Sequence, residues 1–121
     1  MKDKEKLKEY LRAGSKGPID LRWGNLRKMY LKNAILRGAN LQYTNFGSTN
    51  LTNADLSGAD LRSSNLTFAT LTNANLSNAN LKEAAFYKAN LTGANLKGAN
   101  IEGSDFEGAN IEGVIGLSKI P

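Results

Sequence analysis

A large apolar side chain stands at every fifth position from Leu21 to Ile111, nineteen times in succession: fourteen Leu, then Phe46, Phe86, Phe106, Ile101 and Ile111. A period of five fits neither the 3.6-residue repeat of a helix nor the two-residue repeat of a strand. Sustained self-similarity of this kind predicts a solenoid. We call the large apolar residue the centre of each repeat. Two residues before it the side chain is small, with Ala at twelve of nineteen positions and Gly24, Thr44, Thr49, Ser64 and Ser104 at five more; only Ile19 and Met29 are large. Residues two apart on an extended segment point the same way, so large and small side chains alternate to fill a narrow interior. The residue just before the centre is Asn or Asp in fifteen of nineteen repeats, types that hydrogen-bond nearby backbone at a corner. The second residue after the centre is Gly or Asn in eleven of nineteen, which predicts a turn with positive φ at that residue, as in type II.

Runs such as Ala-Asn-Leu-Thr-Gly (89–93), Ala-Asn-Leu-Lys-Gly (94–98) and Ala-Asp-Leu-Ser-Gly (54–58) resemble the pentapeptide-repeat family, and the resemblance spans residues 19–113. It implies an all-β solenoid, a right-handed quadrilateral β-helix in which four pentapeptides form four sides of one coil. Nineteen repeats then make nearly five coils, a rod roughly 23 Å long at a strand spacing of ~4.8 Å. Burial of each centre contributes ~1.5–3 kcal/mol. Conformational entropy takes back most of the sum, so the net rests on stacking between coils.

Three segments follow from the pattern: 1–18, 19–113 and 114–121. Residues 2–13 read as a short amphipathic helix with Leu7, Tyr10 and Leu11 on one face, ended by Gly14-Ser15-Lys16-Gly17-Pro18. An open solenoid end exposes apolar side chains and unpaired backbone, so this helix is expected to be a cap. The bulky residues of the first coil, Ile19, Trp23, Met29, Tyr30 and Ile35, suit its reception. After Gly113 the repeat fails, because the next centre would be Gly116. Val114, Ile115, Leu117 and Ile120 then either fold over the last coil or form an end-to-end homodimer, leaving monomer and dimer both open.

Composition narrows the chemistry. The 121 residues contain no Cys and no His, which removes disulfides, thiolate chemistry and the commonest metal ligand and general base. No Ser/His/Asp set, clefted acid pair or phosphate-cradling loop appears, so no catalytic, cofactor-binding or metal site is expected. No apolar run approaches transmembrane length and the basic N-terminal stretch contains no apolar h-region; a cytoplasmic location without membrane association is expected.

The formal charge of +5 is unevenly spread: residues 1–38 carry eleven Lys/Arg against four Asp/Glu, a net +7, and the rest is net −2. With a twenty-residue coil, Arg22, Gln42, Arg62 and Lys82 stack on one side with Trp23 and Tyr43 beside them. Arg22, Trp23, Tyr43, Arg62 and Lys82 are therefore the candidate site for a partner protein with an acidic surface. The basic density is too low for tracking nucleic acid. Thr52, Thr72 and Thr92 line another side, a ladder too short for ice recognition.

The best-understood activity in the family is protection of type II topoisomerases by proteins that imitate DNA, which the resemblance ties to a strongly acidic rod interrupted by loops. This chain is basic and its repeats run without insertion. It looks more like the small cyanobacterial members, and the expected function is a non-catalytic interaction or scaffold role. Topoisomerase binding is the alternative.

Overall fold

The computed structural model describes residues 2–117, and a β-turn closes each repeat. In eighteen of the nineteen repeats the centre's carbonyl accepts from the N–H three residues on, as Leu31 does from Ala34 at 3.0 Å. All nineteen second residues after the centre have φ between 53° and 76°. Positive φ at that residue alone is the type II signature. Gly or Asn fills eleven of these places, but Trp23, Lys28, Tyr43, Ser48, Ser63, Phe68, Glu83 and Lys88 adopt the same geometry. A side chain in the left-handed region costs ~1–2 kcal/mol, so something must hold it there. That something is the next coil: the Phe68 N–H, for example, donates to the Tyr87 carbonyl at 2.9 Å.

Coils stack through parallel bridges between residues twenty apart, from Asp20–Asn40 to Asn95–Ile115. Within the rod the backbone donors close their own account. The centre's N–H and the turn residue's N–H donate to the following coil, as Leu21 does to Asn40 and Trp23 to Gln42. The N–H before the centre donates to the preceding coil, as Asn40 does to Ile19. The small residue's N–H makes the turn bond. The fifth N–H, just after the centre, goes to the Asn or Asp side chain two residues back in fourteen repeats. The Asn/Asp preference is thus an Asx turn repeated along the rod.

The centres and small residues from Ala39 to Leu96 are almost completely buried. Phe86 and Phe106 stack at 4.9 Å between centroids, 1° from parallel. Polar side chains at the small position stay satisfied: Thr44, Thr49, Ser64 and Ser104 each donate to the carbonyl of a centre, Leu41, Leu26, Leu61 and Leu81.

Helix α1 (Asp3–Arg12) lies over the first coil. Leu7 is fully buried in the core, and Tyr10 and Leu11 pack against it. The Asp3 carboxylate accepts the Asn25 N–H at 3.0 Å, and the Lys6 ammonium donates to the Asp20 carbonyl at 2.6 Å. The helix therefore replaces two of the bonds that a preceding coil would make. Gly24 fits its own turn tightly, since a Cβ there would sit 2.7 Å from the Leu21 carbonyl, while Asp3 of the helix would meet it only at ordinary contact distance, 3.5 Å.

Two expectations about the ends are corrected. Only Ile19 and Met29 are buried beneath the cap; Trp23, Tyr30 and Ile35 are 72%, 73% and 42% exposed. Their positions, just before the centre or at the turn, point outward in every coil. At the other end the coil geometry runs past Gly113, because Ile115 pairs with Asn95. Val114 and Leu117 pack partly on the core while Ile115 is exposed; Ile120 lies outside the described residues. Among the described residues no helix is long and apolar enough to cross a membrane.

Candidate functional site

The twenty-residue register sorts the outward side chains into four sides. The first side is built on centres Leu21, Leu41, Leu61, Leu81 and Ile101. It brings the five candidate residues onto one surface. Trp23 and Tyr43, at the same turn position one coil apart, stack face to face at 4.2 Å and 5°. Their rings remain exposed, Tyr43 by 47%. A flat aromatic pair left in solvent is unusual, because rings of this size carry a large apolar area. Trp23 is not covered by α1; positive φ at its turn sends it outward along the side.

The arginines are less available than a column of positive charge suggests. Arg22 reaches back to Asp20, Nε to Oδ1 at 3.1 Å and Nη2 to Oδ2 at 3.0 Å. Arg62 makes the same fork to Asp60 at 2.9 and 2.7 Å. The hydrogen bonds from these guanidinium groups hold the Asp20 and Asp60 carboxyls below the usual carboxylate range and raise both arginines. Each fork ties the arginine to the position before its own centre, away from the aromatic column. Lys82 follows Asn80 rather than Asp, and no carboxylate among the described residues pairs with it. Between Tyr43 and Glu83 the side dips into a depression of about 200 Å³ lined by Gln42, Tyr43, Arg62, Ser63, Lys82 and Glu83.

Sequence reasoning singled out this side as uniquely aromatic and basic, and the structure adds a second patch on the next side round. Phe68 is 55% exposed and meets Tyr87 edge-on at 6.0 Å, with the Lys88 ammonium 5.4 Å from the Tyr87 centroid. Phe68 and Tyr87 are nineteen residues apart rather than twenty, so columns of equal register do not reveal the pair. On the third side the hydroxyls of Thr52 and Thr92 donate to Asn50 and Asn90, so two rungs of that ladder serve their own turns. Among the described residues no three His, Cys, Asp or Glu side chains converge as metal ligands. Four further depressions lie around α1 and the first coil.

Known proteins place this geometry. The profile described as "Pentapeptide repeat region" matches residues 19–86, and "Pentapeptide repeats (8 copies)" matches residues 74–113. Among curated proteins nothing matches. Among solved structures, HetL, a pentapeptide repeat protein involved in heterocyst differentiation regulation from the cyanobacterium Nostoc, is 31% identical, with a TM-score of 0.78 over 82% of this chain. Rfr23 from the cyanobacterium Cyanothece is 34% identical, with a TM-score of 0.69 over 84%. A pentapeptide repeat protein of the Arabidopsis thaliana thylakoid lumen is 32% identical, with a TM-score of 0.51 over 84%. The chain spans 47% of HetL, 66% of Rfr23 and 67% of the Arabidopsis protein. Repeat, turn and coil thus agree with these neighbours, and the chain belongs to the pentapeptide-repeat family as a right-handed quadrilateral β-helix.

Proposed function

We propose that this chain is a non-catalytic protein-interaction or scaffold protein, cytoplasmic, that docks a partner protein on its first side. The observation that carries the reading is the exposed Trp23–Tyr43 stack. Trp, Tyr and Arg are the side chains that most often dominate binding energy at protein interfaces, and here they share one flat surface with Arg22, Arg62 and Lys82. Its depressions, here and around α1, open broadly to solvent, a shape that suits a protein partner better than turnover of a small substrate. A role in regulation, which is what HetL is named for, is one form this function takes. DNA imitation toward a topoisomerase is supported less. It asks for a continuous negative side, whereas the first side alternates Asp20, Asp60 and Glu83 with Arg22, Arg62 and Lys82, and Asp55 is paired with Arg37. The test is affinity capture from the native host, comparing the parent chain with Trp23→Ala/Tyr43→Ala. A specific partner lost by the double variant supports the reading; a partner retained by a folded variant overturns it.

The C-terminal end supports a second reading, an end-to-end homodimer. Ile111 and Ile115 are exposed there. The N–H groups of Phe106 and Ile111 have no backbone acceptor among the described residues. A two-fold copy would cover the apolar rim and extend the ladder. Sedimentation of the parent and of a chain ending at Gly113 tests it. A dimer that becomes a soluble monomer is the expected result; a monomeric parent overturns it.

A further inference from the structure

The turn column of the first side reads Trp23, Tyr43, Ser63, Glu83 and Gly103. Trp23 and Tyr43 form two rungs of a parallel aromatic stack. The third rung carries Ser63, whose small side chain leaves the far face of Tyr43 uncovered, and the fourth carries Glu83. Arg62 does not fill the space, because its fork to Asp60 holds it aside. The result is the depression of about 200 Å³ between Tyr43 and Glu83. This is below the ~300–1,000 Å³ of pockets for drug-sized ligands, and suits one planar side chain. Successive rungs lie ~4.8 Å apart, so two spacings separate Tyr43 from Glu83 and one ring fits between them, at the Ser63 rung, at stacking distance.

Resting on the reading of the first side as a docking surface, we propose that the slot over Ser63 receives a single aromatic side chain bearing a ring N–H or O–H, Trp or Tyr, from the partner protein. The incoming ring is the third rung of the Trp23–Tyr43 stack. Its face lies on Tyr43, where an offset-stacked geometry is preferred, and its polar hydrogen, which lies in the ring plane, leaves the edge of the stack to meet the Glu83 carboxylate reaching down beside the ring on its flexible side chain. The Glu83 N–H donates to the Glu102 carbonyl, but its carboxylate makes no ion pair among the described residues, so its acceptor capacity is available. Of the charges that line the slot, Arg62 is paired with Asp60, and Lys82 and Glu83 offset each other, which favours a neutral ring over an arginine or an acidic side chain at this point. Lys82, on the wall of the slot, is left to meet a carboxylate beside the inserted ring.

The test is a proton–nitrogen NMR titration of the full chain with N-acetyltryptophanamide, a neutral indole probe. Saturable shifts confined to the amides around Tyr43, Ser63 and Glu83, with a millimolar Kd, are expected, and N-acetylleucinamide should produce none. Ser63→Tyr supplies the ring from within. Its fold is safe because Trp23, Tyr43 and Phe68 already occupy the equivalent turn position with positive φ. It should weaken the probe at least about tenfold, as should Tyr43→Ala, which removes the floor, and Glu83→Gln should weaken it several-fold. Equal shifts with the leucine probe, shifts scattered over the rod, or an unchanged Kd in Ser63→Tyr would overturn the proposal. Partner capture separates this idea from the broader one. Loss with Trp23→Ala/Tyr43→Ala but retention with Ser63→Tyr leaves the docking side and removes the slot; retention with both removes the two together.

Discussion

At the N-terminal end of the rod Leu7 is wholly buried, and side chains of α1 take an N–H and a carbonyl that the first coil would otherwise leave unpaired. At the C-terminal end Ile101, Ala99 and Ala109 are only partly buried and Ile111 is 39% exposed. The turns differ in the same direction. The first coil holds Trp23, Lys28 and Asn33 in left-handed geometry, while the last five turns are all Gly: 93, 98, 103, 108 and 113. Inner turns are held by bonds to the coil beyond them. Near the open end that support runs out, and glycine removes the strain instead of resisting it. The contrast teaches that a solenoid's repeat is uniform in sequence period but not in what stabilises it.

Matched substitutions test this contrast. Phe86→Ala should cost ~3–5 kcal/mol through the cavity it leaves, read by chemical denaturation. Phe106→Ala, one coil nearer the open end, should cost less than half of that at low protein concentration. If copies meet at this end, the gap should narrow as concentration rises. Leu7→Ala should cost ~2–5 kcal/mol, because the cap holds Leu7 against the core. Leu117→Ala should cost under about 1 kcal/mol, since partial burial forfeits little apolar area. Equal losses at the two ends would end the distinction between a sealed and an open face.

Glycine substitutions sharpen the comparison further. At Gly93 a Cβ would collide with Asn73 Oδ1, with φ at +72°, whereas at Gly58 it meets nothing within 4 Å. Gly58→Ala should therefore cost ~1–2 kcal/mol from backbone strain alone, and Gly93→Ala more, both seen in melting temperature. The smallest effect concerns pH. Arg62 lowers the Asp60 carboxyl, and Arg22 lowers that of Asp20. At Asp55 burial pushes upward, but hydrogen bonds from Arg37 and Ser57 outweigh it and the net shift is downward. A carboxyl depressed on folding stabilises the fold fully above its unfolded value of ~3.9 and loses that contribution as pH falls through the folded value. Stability should decline modestly on acidification from about pH 5 towards 2. Asp60→Asn should flatten part of the decline, by less than about 1 kcal/mol because exposed pairs are worth little.

Much of this was legible because the signals are local and repeated. The five-residue period located every buried centre from Leu21 to Leu96, and the Gly/Asn preference located the positive φ of all nineteen repeat turns. The heptad-like face of Leu7, Tyr10 and Leu11 identified the cap. What sequence reading missed depends on side-chain reach. Placing Tyr30 and Ile35 beneath the helix followed from their bulk, yet both occupy the outward position before a centre. Treating Arg22 and Arg62 as free charges overlooked Asp20 and Asp60 two residues back, where the Asx turn already aims a carboxylate. The Phe68–Tyr87 contact joins different turn positions on adjacent coils, a diagonal that a column count passes over.

The coil-to-coil hydrogen bonding of the repeats has a consequence for how such a chain can change over time. Interior identity is kept modulo five, surface address modulo twenty. Gain or loss of one pentapeptide leaves every centre facing inward, so the rod tolerates it. The same event turns all later residues by a quarter revolution and would carry Tyr43 off Trp23 if it fell between them. Only a change of four whole repeats leaves both registers intact. A lineage can therefore redraw its recognition surface in a single step while its core stays the same.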